Sequence, residues 1–218
     1  MVKVKKEFKS LTTLNKWIRY VLYAQIVIAI LAMILGFLER QLLSAYADGT
    51  YASLQAAFAG GNTTIVLLQG TGIASLIAFI ASALLILKWI YRANANLRPL
   101  GAENMRYTPA WSIGYYFIPI FNLWKPYQAM KEIWKASKNP SDWQSIKAPY
   151  ILPVWWALWI ISNLLNQSVF RLSAEAVELS ELLNLNMLSQ VSNLLDIPLA
   201  LVTLSMITAI SRMQSSDK

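Results

Sequence analysis

The stretch YVLYAQIVIAILAMILGFL at residues 20–38 carries no charged side chain. As an α-helix it would extend about 28 Å, which matches the roughly 30 Å hydrocarbon core of a bilayer. Three further apolar stretches have similar lengths, at about residues 72–91, 150–168 and 189–210. We therefore expect an all-α integral membrane helical bundle with four transmembrane helices, and a single membrane domain over residues 1–218.

The composition fits a chain whose solvent is largely lipid. Hydrophobic residues make up 56% of the sequence and charged residues only 14%, whereas soluble domains carry about 25% charged residues. There is no cysteine and no histidine, which excludes disulfides, thiolate nucleophiles, histidine-ligated metals and Ser-His-Asp triads. We expect no cofactor and assign no metal ligand; a hard cation held by oxygen atoms remains open.

The basic residues are unevenly distributed, and their distribution predicts the orientation. A basic lead at residues 1–19 precedes the first span, and residues 92–149 hold most of the other cations. The two remaining connections hold one cation each, Arg40 and Arg171. Because lysine and arginine accumulate on the cytoplasmic side of membrane proteins, we expect both termini and residues 92–149 to be cytoplasmic. The net charge of +8 then requires no nucleic acid.

A fifth apolar stretch, residues 111–124, is too short to cross a bilayer comfortably and contains Pro119. If it crossed, the cations between Lys125 and Lys147 would move to the outer side. We therefore expect a short re-entrant or interfacial element on the cytoplasmic face. A fifth span remains the open alternative.

An amphipathic helix is expected after this element. Pro126 suits the first helical turn, because the N–H that proline lacks would be unpaired there. One helical face then carries Tyr127, Met130, Ile133 and Trp134. The polar residues fall elsewhere: Gln128, Lys131, Glu132, Lys135 and Lys138. This pattern predicts a helix lying on the cytoplasmic membrane surface, with basic groups near anionic headgroups.

The central region also carries a family resemblance. It reads WIYRANANLRPLGA at residues 89–102, TPAW at 108–111, YFIP at 116–119 and NLWKPYQAMKEIWKAS at 122–137. At these residues the chain resembles the bacterial membrane-protein family DUF4328, a domain of unknown function, and its hydropathy outline agrees from about Leu11 to Arg212. The resemblance implies a bacterial inner-membrane protein with a compact helical domain. It brings no established activity and therefore no catalytic residue.

The cytoplasmic-face region supplies the first set of candidate site residues. Its structural interpretation is a plain membrane anchor, and its functional interpretation is a surface that binds a ligand or partner. The candidates are Arg92, Asn96, Arg98, Trp111, Asn122, Trp124 and Lys125. A lipid phosphate between Arg92 and Arg98 is one ligand that fits this set.

A second set of candidates lies within the predicted spans. Asp196 is the only acid well inside one of them, and acids at that depth are costly enough to suggest function. It shares a helical stripe with Thr203, and Asn163 lies on a polar stripe of the preceding span. We expect the two stripes to face each other or a shared polar cavity. Interhelical hydrogen bonding and proton or cation handling both remain open.

These observations favour a non-enzymatic membrane module that binds a protein partner or lipid at its cytoplasmic face. The expected partners are membrane lipids, anionic ones included, and a protein subunit or further copies of the chain. The alternative is a small oligomeric transporter or channel with a polar path around Asp196. An intramembrane enzyme is disfavoured, because aspartyl chemistry needs paired carboxylates.

Overall fold

Long helices account for most of the chain. The computed structural model describes residues 7–216, apart from the side chain of Ser216, and within them it contains helices and no strand. The part of the basic lead at residues 1–6 and the final Lys218 lie outside the described residues. The helices are α1 (Thr12–Ala47), α2 (Leu54–Gly60), α3 (Asn62–Leu97), α4 (Pro109–Gly114), α5 (Lys125–Lys138), α6 (Ile151–Glu175) and α7 (Leu179–Ser216).

Three helices, α1, α3 and α7, are long and apolar enough to cross a membrane. The predicted all-α fold with helices of membrane-spanning type is therefore confirmed for three helices. Helix α6, the fourth predicted span, has 25 residues and is long enough to cross. Its three tryptophans and its side-chain amides interrupt the apolar run, so α6 is not among the helices that are apolar enough to cross, and the predicted fourth span is not confirmed.

The long helices extend beyond the apolar runs that predict them. Helices α1 and α3 each have 36 residues, which corresponds to about 54 Å and exceeds the bilayer core. Helix α1 ends just before Gly49, whose φ of 77° suits glycine. Pro198 lies within α7 without ending it.

The short apolar stretch at 111–124 is broken into small pieces. Helix α4 has six residues, and Thr108 caps it by accepting a hydrogen bond from the Trp111 N–H at 3.2 Å. Two three-residue 3-10 turns follow, at Tyr115–Phe117 and Phe121–Leu123. The fifth-span alternative therefore has no membrane-length helix to support it.

The chain divides into two compact units, which we call the basic unit and the second unit. The basic unit comprises residues 1–22, 81–157 and 201–218, and the second unit comprises 23–80 and 158–200. Among the described residues, every lysine and arginine except Arg40 and Arg171 belongs to the basic unit. Most of the acids belong to the second unit: Glu39, Asp48, Glu175, Glu178, Glu181 and Asp196. The two units, which are defined by their internal contacts alone, therefore also differ in charge.

Uncharged amides hold the core of the basic unit together. The fully buried Gln214 donates to the Ala93 carbonyl at 3.0 Å and to the Ser137 hydroxyl at 2.9 Å. It also accepts from the Asn96 amide at 3.2 Å, and Asn96 exchanges two hydrogen bonds with the backbone of Lys9. One polar network therefore joins the segment before α1 to the ends of α3, α5 and α7.

Side-chain amides play a comparable role in the second unit. Asn186 on α7 donates to the Gly36 carbonyl at 2.8 Å and to the Glu39 carboxylate at 2.7 Å. Gln190 donates to the Met33 carbonyl at 3.1 Å. A Cβ at Gly36 would lie 2.6 Å from the Gln190 amide nitrogen, so glycine permits this close approach of α1 and α7.

Replacing Gln214 with leucine is expected to destabilise the protein. The change removes three buried hydrogen bonds, which should cost about 2 kcal/mol and lower the thermal unfolding midpoint by about 4–8 °C. The midpoint can be measured on the detergent-solubilised chain. Ser215→Ala is the matched control, because Ser215 is exposed and bonds only within its own helix. Equal midpoints for the two variants would show that the network does not stabilise the fold.

Candidate functional site

A loop in the basic unit is fixed by a buried carboxylate. Glu132 on α5 is only 6% exposed, and its two oxygens accept hydrogen bonds from the backbone N–H groups of Arg106 and Tyr107 at 3.0 and 2.9 Å. Burial raises the pKa of the Glu132 carboxyl, and the two N–H groups and the charges of Arg106 and Arg98 oppose that shift. The Tyr107 hydroxyl also donates to Gln128 at 2.6 Å. These contacts seat the loop that leads into α4.

A chain of aromatic rings follows from this loop, and we call it the aromatic platform: Tyr107, Trp111, Tyr115, Phe121 and Trp124. Tyr115 is central, with ring centroids 5.9 Å from Tyr107, 5.1 Å from Trp111 and 6.0 Å from Phe121. Phe121 then contacts Trp124 at 5.8 Å. Edge-to-face and tilted packing at these distances adds to the stability that area burial alone provides.

The platform combines exposed apolar groups with one cation. The Lys125 ammonium lies 6.0 Å from the Tyr107 ring centroid and 5.9 Å from that of Tyr115, within cation–π range. Trp111 is 51% exposed and Trp124 is 39% exposed. Phe117 and Ile120 beside them are even more exposed. The surface is thus an apolar patch with a positive charge at its edge.

A tryptophan of helix α6 holds the platform segment by a hydrogen bond. The Trp156 indole N–H donates to the Leu123 carbonyl at 2.9 Å. The adjacent Asn122 has a buried side-chain oxygen that accepts no hydrogen bond from the described residues. Trp111, Asn122, Trp124 and Lys125, four of the predicted candidates, therefore lie in one contiguous segment that the structure holds in place.

The other candidates of that set have structural partners. Arg92 donates to the Ser10 carbonyl at 3.2 Å, and Arg98 donates to the Asn94 side-chain oxygen at 3.0 Å. Asn96 is 1% exposed and belongs to the Gln214 network. The guanidinium groups suggested for a lipid phosphate are thus already engaged by oxygens of the protein.

Polar residues of the last two predicted spans face each other, as expected, but not every candidate takes part. Asp196 accepts a hydrogen bond from Ser162, and Ser192 donates to Asn166 at 3.0 Å, so α6 and α7 do present polar groups to each other. Asn163 is exposed and donates to the Trp159 carbonyl of its own helix. Thr203, in the basic unit, accepts from the Trp155 indole N–H at 3.1 Å. These bonds are of the kind that joins helices in membrane proteins.

Two features of the basic unit escaped the sequence analysis. Glu132 was placed on the polar side of α5, yet it is buried; its spacing of three and four residues from Ala129 and Ala136 puts it on the packed face. The network around Gln214 joins residues far apart in sequence and carries no local signal.

Among the described residues, no group of three histidine, cysteine, aspartate or glutamate side chains could hold a metal ion.

The comparisons with known proteins place the chain in a family. The model of a domain of unknown function, DUF4328, matches residues 52–212. The chain belongs to this family. The DUF4328 match includes the aromatic platform, Glu132 and most of α7, and it begins after α1 has ended at Ala47. No curated protein and no solved structure matches the chain.

Acidification is expected to stabilise the wild-type protein relative to Glu132→Gln. Because the pKa of Glu132 is higher in the folded chain than its ordinary value of 4.5, the folded state binds the proton more tightly than the unfolded state. The contribution of Glu132 to the free energy of unfolding should rise as the pH falls through its pKa in the folded chain. It should level off once the pH is below its pKa in the unfolded chain.

Thermal unfolding midpoints of both proteins between neutral pH and about pH 4 measure this difference. Glutamine keeps the size of the side chain but cannot titrate, so it cancels the effects of other groups. A midpoint difference that stays constant, or that moves against the wild type on acidification, would contradict the assigned role of burial.

Proposed function

We propose that this DUF4328 chain is a non-enzymatic membrane module of the bacterial cytoplasmic membrane that binds lipid at its cytoplasmic face. The aromatic platform is the proposed binding surface. The observation that carries the proposal is the exposure of three platform rings, Trp111, Phe121 and Trp124, next to the cation Lys125, in the unit that holds nearly all the cations. Aromatic rings and a lysine at one surface are typical of groups that reside at the headgroup level of a bilayer.

The proposal includes four membrane spans, with α6 as the fourth. Four crossings place both ends of the chain on the same side, and the charge distribution supports the cytoplasmic side. The second unit holds only Arg40 and Arg171 as cations. An orientation with the basic unit in the cytoplasm therefore satisfies the preference of lysine and arginine with two exceptions.

Apolar contact, rather than charge, supplies most of the proposed binding energy. Burying one large apolar side chain is worth about 1.5–3 kcal/mol, whereas a lysine near an anionic surface contributes about 1 kcal/mol. Several platform side chains are exposed, including Trp111 and Trp124, and only Lys125 is positioned over the rings. The platform should thus enter the boundary between headgroups and acyl chains, with Lys125 adding a preference for anionic lipid.

The partners of the buried acids support a module without a reaction of its own. Glu132 is engaged by two backbone N–H groups, and Asp196 by the Ser162 hydroxyl. Each of these two carboxylates therefore has a hydrogen-bond donor within the fold. A protein subunit or a second copy of the chain, also expected from the sequence, would cover the same platform, and the experiment below separates these occupants from lipid.

Bromine-labelled lipids test whether the platform enters the membrane. In nanodiscs whose lipids carry bromine near the headgroup end of the acyl chains, the fluorescence contributed by Trp111 and Trp124 should be quenched. That contribution is obtained as the difference between the wild type and the Trp111→Phe/Trp124→Phe variant. Trp143→Phe is the control, because Trp143 lies in the same unit outside the platform and bonds to the Glu103 carbonyl.

The Trp143 contribution should be much less quenched than the platform contribution. If the platform contribution is not quenched in lipid, and a second protein co-purifies in a fixed ratio that Trp124→Ala abolishes, the occupant is a protein and the lipid proposal fails. Lack of quenching without such a subunit would contradict the proposal equally.

A further inference from the structure

The basic unit also has a polar cleft, which is separate from the aromatic platform and has no role in the proposal above. A cleft of about 600 Å³ lies between the first turns of α1 and the last turns of α7. Its lining includes three cations, Lys16, Arg19 and Arg212, and no carboxylate. Residues from opposite ends of the sequence thus converge to form a concave, positively charged site.

The two guanidinium groups of the cleft differ from those singled out by the sequence. Arg92 and Arg98 donate to oxygens of the protein. Arg19 and Arg212 are exposed, and neither has a hydrogen bond or ion pair with another described residue. The Lys16 ammonium lies 5.9 Å from the centroid of the Tyr20 ring, a weak contact that leaves its N–H donors available. The cations of the cleft are therefore available to an external anion.

The chemistry of the cleft fits a phosphate group. A guanidinium presents parallel N–H donors that match two oxygens of a phosphate, and an ammonium adds a third point of charge. The hydroxyl side chains of Thr208 and Ser215 also line the cleft, and hydroxyls are further donors to such oxygens.

The position of the cleft along the chain suggests where the phosphate would come from. Lys16 and Arg19 directly precede the apolar run at residues 20–38, and Arg212 closely follows the apolar run that ends near residue 210. Both apolar runs therefore end at the cleft. If these runs cross a bilayer, the cleft lies at the depth of the phospholipid phosphates.

We propose that this cleft binds a phosphate group, carried by an anionic phospholipid or by a free phosphate. The site does not depend on the aromatic platform and shares none of its residues. A failure of either proposal therefore leaves the other intact. Because α1 lies outside the DUF4328 match, the cleft combines an element of the family domain with one that precedes it.

The test compares two double variants that lose the same charge. Arg19→Gln/Arg212→Gln removes two cations from the cleft, whereas Lys131→Gln/Lys147→Gln removes two exposed cations elsewhere in the basic unit. All four side chains are exposed, so both variants should fold. Native mass spectrometry of the full-length, delipidated protein measures its affinity for added phosphatidylglycerol, with phosphatidylcholine as the neutral-headgroup reference.

The cleft variant should bind phosphatidylglycerol at least tenfold more weakly than the wild type, a loss of at least about 1.4 kcal/mol of binding free energy, because it loses two groups that donate charge-assisted hydrogen bonds. The control variant should lose less than about twofold, because exposed charges outside the site are screened. A third variant, Arg19→Lys/Arg212→Lys, keeps the charge but not the planar donors, and should lie between these two. It also serves as the test if the glutamine variant fails to fold.

A second arm identifies the source of the phosphate. Millimolar inorganic phosphate is added to the delipidated protein, and the unfolding midpoint is compared with that in chloride at equal ionic strength. A midpoint increase that the cleft variant loses, without a change in phosphatidylglycerol binding, assigns a free phosphate. A change in phosphatidylglycerol binding assigns the phospholipid. Equal effects of the cleft and control variants, or no effect of the cleft variant in either arm, would overturn the proposal.

Discussion

The free energy needed to take a charged side chain out of water governs this structure. Three helices are apolar enough to cross a bilayer, and the charges of the chain are sorted around them. Within residues 7–216, the basic unit contains every lysine and arginine except Arg40 and Arg171. Since an uncompensated charge in hydrocarbon costs several kcal/mol, such sorting leaves the middles of α1 and α3 uncharged. The acid in the middle of α7, Asp196, accepts a hydrogen bond from Ser162.

The same cost explains which polar groups stabilise the interior. Where helix ends meet in the basic unit, the buried connections are made by the amides of Asn96 and Gln214. An amide satisfies several hydrogen bonds without a net charge to desolvate. Glu132, the one buried carboxylate among the described residues of that unit, accepts hydrogen bonds from two backbone N–H groups and lies near two arginines, so its burial is compensated. By fixing the loop at Tyr107, that carboxylate also positions the first ring of the aromatic platform.

Features that depend on local pattern could be predicted from the sequence, and features that depend on distant pairing could not. The apolar runs indicate helices, and Pro126 correctly marks the first turn of α5, because each signal lies in neighbouring residues. Helix ends are less certain: α1 continues to Ala47, since nothing in that polar segment interrupts helical hydrogen bonding. For the candidate site, the segment from Trp111 to Lys125 was identified, but its internal ring contacts were not.

Side-chain pairing between helices shows most clearly where prediction from the sequence fails. The expectation that polar stripes of α6 and α7 meet agrees with the bonds from Ser162 to Asp196 and from Ser192 to Asn166. The candidate named on α6, Asn163, is instead exposed and bonds within its own helix. One residue turns a helix by about 100°, so a small error in helix rotation exchanges an exposed side chain for a buried one. The cation cleft was missed for a related reason, because Arg19 and Arg212 meet only once the two ends of the chain are folded together.

The sidedness of the basic unit is the central claim, and cysteine labelling tests it directly. The chain contains no cysteine, so single cysteines at Thr13, Lys147, Ser215 and Asp48 can each be probed with a membrane-impermeant maleimide in sealed vesicles of known orientation. The account predicts labelling of Thr13→Cys, Lys147→Cys and Ser215→Cys from the cytoplasmic side only, and of Asp48→Cys from the opposite side only. Labelling of Thr13→Cys and Lys147→Cys from different sides would contradict it.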